Sequence, residues 1–197
     1  MAKRFYHVYR FKITIFNIKP AIWRRLEVPE NYTFWDFHVA IQDVMGWTDS
    51  HLHRFDVRDP RTHEKFEFSI PLFEEEIDFI PDWEEKIANY FTMENRSVVY
   101  EYDFGDSWFH RILLEQIHPI EEKVKYPICL GGKRACPPED CGGIGGYYNL
   151  LQILKEPTHE EYKSMKMWVG DDYDPEYFDP ATVHFDNPEE RLDLLFQ

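Results

Sequence analysis

Tyr9-Arg10-Phe11-Lys12-Ile13-Thr14-Ile15 alternates apolar and polar side chains, and Phe5 extends the apolar series upstream. A repeat of two puts the apolar set on one face of a half-buried strand. Asn17-Ile18-Lys19-Pro20 reads as a turn. Ile22 to Val28 then returns as a second strand with Ile22, Leu26 and Val28 on one face, and Pro29 ends it. The spacing predicts an antiparallel hairpin. Thr33 with Asp36 three residues later has the form of a capping box. Phe34, Phe37, Ile41, Val44 and Met45 follow at helical spacing, and Gly46 fits the stop. Residues 34–45 are therefore expected to form an amphipathic helix that packs on the hairpin.

Outward from this unit, residues 51–57 read as a third strand. Val98 to Ile117 reads as a second hairpin that turns at Phe104-Gly105-Asp106-Ser107. The order predicts an α+β protein with a β-grasp-like β-β-α-β-β-β arrangement. Residues 1–58 and 96–118 would form the core of a single domain. Residues 59–95 contain Glu74-Glu75-Glu76 and Asp82 to Glu85, and read as an acidic surface insertion with a short helix near Trp83 to Phe91. Residues 119–197 would hold a loop rich in Cys, Gly and Pro, followed by helices. One helix should run from near Gly146 to Lys155. A second, with Thr158 and Glu161 as its capping box, should end near Gly170. A last one should begin at Pro188.

Composition narrows the class. The 197 residues are 43% hydrophobic and 17% aromatic, enough for a buried core and against disorder. No apolar run reaches the ~18 residues that cross a bilayer, and no leader pattern opens the chain, so a cytoplasmic protein without a membrane partner is expected. The net charge of −15 opposes non-specific attraction to nucleic acid. Residues 1–30 nevertheless sum to +5 and leave −20 for the rest. Arg10, Lys12, Arg24 and Arg25 on the first hairpin are the candidates for a local basic face that meets nucleic acid or a partner. The plain alternative is a solvated strand surface.

Three groups could carry chemistry. His51 and His53 lie two apart, so a strand would place them on one face with Cα atoms ~7 Å apart, within reach of one metal ion. The alternative is two histidines at a strand entrance bonded to backbone or water. In Tyr102-Asp103-Phe104-Gly105-Asp106-Ser107-Trp108-Phe109-His110, a turn centred on Gly105-Asp106 would pair Asp103 with Trp108 and Glu101 with His110. A carboxylate beside His110 would raise its pKa and fix its tautomer. Asp103, Asp106 and His110 are thus the candidates for acid–base or metal chemistry, against a reading in which they only build the turn. Cys129, Cys136 and Cys141 fall within thirteen residues. An odd number argues against a disulfide framework, and three soft ligands with a histidine would suit zinc. Small thiols filling a tight loop are the alternative. Gly142-Gly143-Ile144-Gly145-Gly146 lacks the Lys-Ser/Thr of a phosphate loop and suits close backbone packing. No Gly-x-Ser-x-Gly elbow or His-Glu-x-x-His occurs.

Five stretches taken in order resemble one family: Tyr9 to Ile13, Ile22-Trp23-Arg24-Arg25-Leu26-Glu27-Val28-Pro29, Met45-Gly46-Trp47-Thr48-Asp49-Ser50-His51-Leu52-His53, Tyr102 to His110, and Ala135-Cys136-Pro137-Pro138-Glu139-Asp140-Cys141-Gly142-Gly143. This pattern resembles the Ri-plasmid open-reading-frame-three-like family over about residues 5 to 185. The resemblance implies a protein of plasmids, transposons and microbial chromosomes, and some transposon passengers with this domain carry the resolvase label TnpR. It implies no catalytic residue. Recombinase chemistry fits poorly, because His51-Leu52-His53-Arg54 stands without an arginine cluster and the first serine is Ser50. Two functions remain open: a non-enzymatic interaction module accessory to a mobile element, with a protein partner foremost, or a metal-dependent hydrolase in which His51, His53 and His110 hold the ion.

Overall fold

The computed structural model describes residues 5–71 and 79–196. The alternating N-terminal stretch forms β1 (His7–Ile15), which turns through Asn17 to β2 (Trp23–Pro29). Phe11, Ile13 and Ile15 are buried on one face of β1, as the period of two requires. After β2 comes α1 (Phe34–Met45), then β3 (His53–Arg58), β4 (Lys65–Ser69), β5 (Ile80–Pro81), β6 (Ser97–Tyr102), β7 (Trp108–Pro119) and β8 (Ile128–Lys133). Helices α2 (Gly143–Lys155), α3 (Tyr162–Val169) and α4 (Pro188–Leu195) complete the chain. The eight strands make one sheet in the order β5-β4-β3-β6-β7-β1-β2-β8. Among the described residues, only β4 and β5 pair in parallel.

The α+β class is as the sequence predicts, but the sheet is wider than the five expected strands. Segment 59–95 is not a surface appendage. Part of it adds β4 and β5 beyond β3, and Ile87, Tyr90 and Phe91 turn into the core. Its helix near Trp83 to Phe91 is only the 3₁₀ turn Ile87–Asn89, and Glu74-Glu75-Glu76 falls outside the described residues. Similarly, part of the cysteine loop is an edge strand, because Ile128 to Lys133 pairs with β2.

Helix α1 begins at Thr33, whose side chain and that of Asp36 cap each other's backbone N–H, and it ends at Gly46 in the left-handed region (φ 84°). Its expected apolar stripe faces the sheet: Phe34 stacks on Phe68 at 4.4 Å and Phe37 lies 4.6 Å from Phe11. The opposite side is covered too. Trp35, His38 and Gln42 are buried, and Trp35 Nε1 donates to Pro188 O at 2.9 Å. The helix is therefore enclosed between the sheet and the C-terminal segment. Near its end, α4 starts as expected with Pro188 in the first turn and Asn187 as cap. Helix α3 starts after Glu161 without the expected Thr158 side-chain cap.

The second hairpin corrects the expected register. Its last pair is Tyr102 with Trp108, so residues 103–107 form a longer loop and His110 faces Tyr100. Asp103 causes the difference. It sits at φ 58° and accepts the N–H groups of Gly105 and Asp106 on Oδ1, which opens the turn. A shift of one residue exchanges the faces of a strand. Glu101 accordingly lies opposite Phe109 and meets Arg54 at 3.0 Å, not His110.

Candidate functional site at the junction of three loops

Three loops meet beside the start of β3. The first is Thr48 to Leu52, the second is the 103–107 turn, and the third is the 137–143 segment that leads into α2. Each contributes one side chain to a cluster of His51, Asp103 and Asp140, whose ligand atoms lie within 4.8 Å of one another. His51 Nε2 stands 3.1 Å from Asp140 Oδ1 and 3.7 Å from Asp103 Oδ2. The bonds to Asp103 Oδ1 orient that carboxylate and leave Oδ2 for the cluster. Tyr102 supports it from below: its hydroxyl accepts the Ser50 N–H at 3.1 Å and donates to Glu139, which also accepts the Thr48 hydroxyl. Burial and then Glu139 push the Tyr102 phenol well above its ordinary pKa, so it stays a donor. Asp106 Oδ2 accepts the Gly142 N–H at 3.1 Å and ties the second loop to the third.

The glycine run serves close packing at this junction. A Cβ on Gly146 would stand 1.8 Å from the Cys141 carbonyl oxygen, whereas one on Gly145 would meet nothing within 4 Å. Gly146→Ala is therefore expected to cost about 2–3 kcal/mol by overpacking. Gly145→Ala, one position away in the same helix, is expected to gain roughly 0.5 kcal/mol from helix propensity. Urea unfolding of the two variants checks the contrast, and equal effects would contradict it.

His53 does not join His51. It is fully buried, its Nε2 bonds Asp82 Oδ2 at 2.7 Å, and its ring stacks on His38 at 3.4 Å with 10° between planes. His38 bonds Tyr100 Oη at 2.8 Å and Asp49 Oδ1 at 2.7 Å. His38, Asp49 and His53 lie close enough to surround an ion. The stacking speaks against it, because an ion in the plane of one ring lies off the plane of the other, where no lone pair points. The pair reads better as hydrogen-bonded packing. Burial, with His53 beside it, pushes His38 down to about 4. Burial also acts to raise Asp49, but His38 outweighs it and holds that carboxyl below its ordinary value.

His110 is enclosed by Trp47 and Tyr100, each 5.3 Å away between ring centroids, and neither ring nitrogen has a well-aligned hydrogen bond, although the Trp108 and Tyr100 backbone lies near enough to favour its proton. Burial pushes it down to about 4, opposite to the expected rise, since no carboxylate faces it. The ligand set His51, His53 and His110 is thus spread over three surroundings and does not hold one ion.

The cysteines do not converge either. Neither cluster of metal-type donors among the described residues contains a thiol. Cys129 and Cys141 donate to the carbonyls of Gly131 and Gly143, and burial raises all three thiols, Cys141 to about 12. For Cys141 the charges of Asp106, Asp140 and Asp103 add to burial.

The expected basic face of the first hairpin is mostly neutralised. Arg10 pairs with Glu27 at 2.7 Å and Arg25 with Glu115 at 2.6 Å, while Lys12 lies over the Trp23 ring. Arg24 is not on that surface. It is 1% exposed, donates to the carbonyls of Val44, Trp23 and Lys133, and lies 3.6 Å from the Phe178 ring centre.

Next to the junction, a groove of about 580 Å³ runs between the C-terminal end of α1 and residues 173–186. Trp47, Tyr173, Tyr177 and Phe178 give it aromatic walls, and Asp43, Glu139, Asp179 and Asp186 line it with carboxylates. The segment 171–186 holds six acidic residues and no Lys or Arg. Arg191, from α4, spans Asp43, Asp49 and Asp186. Burial lifts the Asp43 carboxyl to about 6.

Residue type and spacing in the sequence point to His51 and Asp103 but not to Asp140, Glu139, His38, Asp49 or Asp82. For Asp140 and Glu139 a signal was present, since both stand between the cysteines of a motif read for its thiols. Nothing in the sequence marked His38 or Asp82 as partners of the strand.

A wide, mostly antiparallel sheet with an enclosed helix and a polar three-loop junction defines a class of α+β proteins to which known chains can be compared. The family described as plasmid pRiA4b ORF-3-like protein matches residues 7–182, and the chain belongs to that family. The uncharacterised protein y4hQ of Sinorhizobium fredii is 34% identical over 192 residues, which cover 95% of this chain and 92% of that protein. The crystal structure of MM3350 from Methanosarcina mazei Go1, a protein of unknown function, is 48% identical and superimposes with a TM-score of 0.87, over 92% of this chain and all of the other. No helix among the described residues is long and apolar enough to cross a membrane.

Proposed function

We propose that the protein is a non-enzymatic interaction module, an accessory of a mobile element or of the plasmid setting that its family description names, whose groove takes a Lys- or Arg-bearing segment of a protein partner. One observation carries this reading: an aromatic groove walled by Tyr173, Tyr177 and Phe178 and lined by the carboxylates of Asp43, Glu139, Asp179 and Asp186, of which Glu139 and Asp179 have no Lys or Arg partner among the described residues. The C-terminal end of α1 is already met by Arg24, whose Nε donates to Val44 O, so the attraction for a partner's cation comes from Glu139 and Asp179. Tyr177 is 59% exposed and offers a ring on which a guanidinium can lie. Phe178 cannot serve in the same way on the face that Arg24 already occupies.

A fluorescent arginine–glycine peptide and its glutamate–glycine counterpart test the reading by anisotropy. The arginine peptide should bind, and more weakly as salt rises. Tyr177→Ala with Asp179→Asn should weaken it roughly tenfold, about 1.4 kcal/mol. Asparagine keeps the cap that Asp179 gives to Ala181. Neutralising Glu156 and Glu160, exposed between α2 and α3, should change little. Equal loss from both pairs of substitutions would mean attraction to the acidic body as a whole and would remove the groove from the account.

A further inference from the structure

We infer that His51, Asp103 and Asp140 form a site for one divalent transition ion such as Zn²⁺ or Mn²⁺. The first support is geometric. Such ions bind nitrogen and oxygen ligands at about 2.0–2.2 Å, so adjacent ligand atoms stand about 3–3.6 Å apart. His51 Nε2 is 3.1 Å from Asp140 Oδ1 and 3.7 Å from Asp103 Oδ2, so the donors need only small movements. The second support is the imidazole itself. Its Nε2 is shielded from solvent, points into the cluster, and has no aligned hydrogen bond despite two nearby carboxylates. A polar atom held this way lacks a partner that an ion would supply.

The third support is charge. Asp103, Asp106, Glu139 and Asp140 come together here, and among the described residues none of them is paired with Lys or Arg. The donors arise from three loops far apart in sequence, so an ion would lock the junction. Orientation is already provided: Asp103 Oδ1 is held by two backbone N–H groups, and the His51 ring rests edge-on against Tyr102 at 5.9 Å. Asp140 is 73% exposed, so the ion would be reached from solvent and would keep water in its remaining positions. One imidazole with two carboxylates suits a borderline ion better than Ca²⁺ or Mg²⁺, which prefer oxygen alone.

Chelator-treated, untagged protein titrated with Zn²⁺ and with Mn²⁺ tests the inference, with calorimetry and Mn²⁺ paramagnetic resonance as readouts in the presence of excess Mg²⁺. One ion per chain is expected with a dissociation constant below about 100 µM. Asp140→Asn and His51→Gln should each weaken binding at least about tenfold. The Tyr177→Ala, Asp179→Asn chain should bind metal as the parent does, which separates this site from the groove. Asp140→Asn carries the test if His51→Gln folds poorly, because the side chain is exposed and asparagine tolerates the backbone at φ 57°. No saturable binding, binding abolished by Mg²⁺, or parental affinity in Asp140→Asn would each overturn the inference.

Discussion

Arg24→Ala is expected to destabilise the protein by about 3–5 kcal/mol, enough to leave a large unfolded fraction at ordinary temperature. Its guanidinium joins four parts of the chain. Nε donates to Val44 O at the end of α1 at 2.7 Å, and Nη1 donates to Trp23 O on β2 and Lys133 O on β8. Its face lies on Phe178 in the C-terminal segment. Truncation would leave the carbonyls short of donors and open a cavity beneath the ring, and both effects are costly. Burial works against the charge itself and lowers the guanidinium's pKa, and the carbonyls and the ring offset that cost only in part, without a carboxylate. Arg24→Lys is expected to recover less than half of the loss, because one ammonium cannot reach the three carbonyls and stack as well. Urea unfolding of parent, Ala and Lys chains measures this. A loss below about 1 kcal/mol in the alanine chain would show that the buried fork is not holding these elements together.

Arg24 also shows how much could be read beforehand. Ile22, Leu26 and Val28 were assigned to the buried face of β2, and Arg24 has the same parity, so the period of two already placed it inside. Charge alone groups Arg24 with Arg25, but strand parity is the stronger signal. The alternation of β1, the capped helix and the existence of the second hairpin were legible because each depends on residues adjacent in sequence. The register of that hairpin was not, because the side chain of Asp103 decides it by reaching two backbone N–H groups beyond itself. The roles of β4, β5 and β8 were hidden for a similar reason: each is short and gains its place from a partner strand far along the chain. The junction was half visible. His51 and Asp103 stood out by residue type, but only the fold brings Asp140 to them from ~40 residues further on, and only the fold sends His53 to Asp82.

Acidification from pH 7 to pH 5 is expected to cost the folded state about 2 kcal/mol before most carboxylates begin to protonate. His38 and His110 are each held near 4 by burial, below the ~6.5 of an unfolded chain. Between those values the unfolded chain takes up a proton at each position and the folded chain does not. Their contribution is therefore intact above about pH 6.5 and falls away down to about pH 4. Asp43 works the other way. Its folded value near 6 lies above that of an unfolded aspartate, so acidification through pH 6 relieves the cost of burying its charge. Asp56 and Glu101, both raised chiefly by burial, pull in the same direction as Asp43. The two histidines outweigh these carboxyls because they are fully buried. His110→Phe separates the terms. It removes two buried nitrogens that have no well-aligned hydrogen bond and keeps a ring between Trp47 and Tyr100, so the variant should stay close to the parent at pH 7. At pH 5 it should exceed the parent by about 2 kcal/mol, the share that one histidine loses over this range. Urea midpoints at the two pH values read the difference directly. A parent and variant that lose stability in parallel would mean that His110 binds its proton as readily in the folded chain as in the unfolded one.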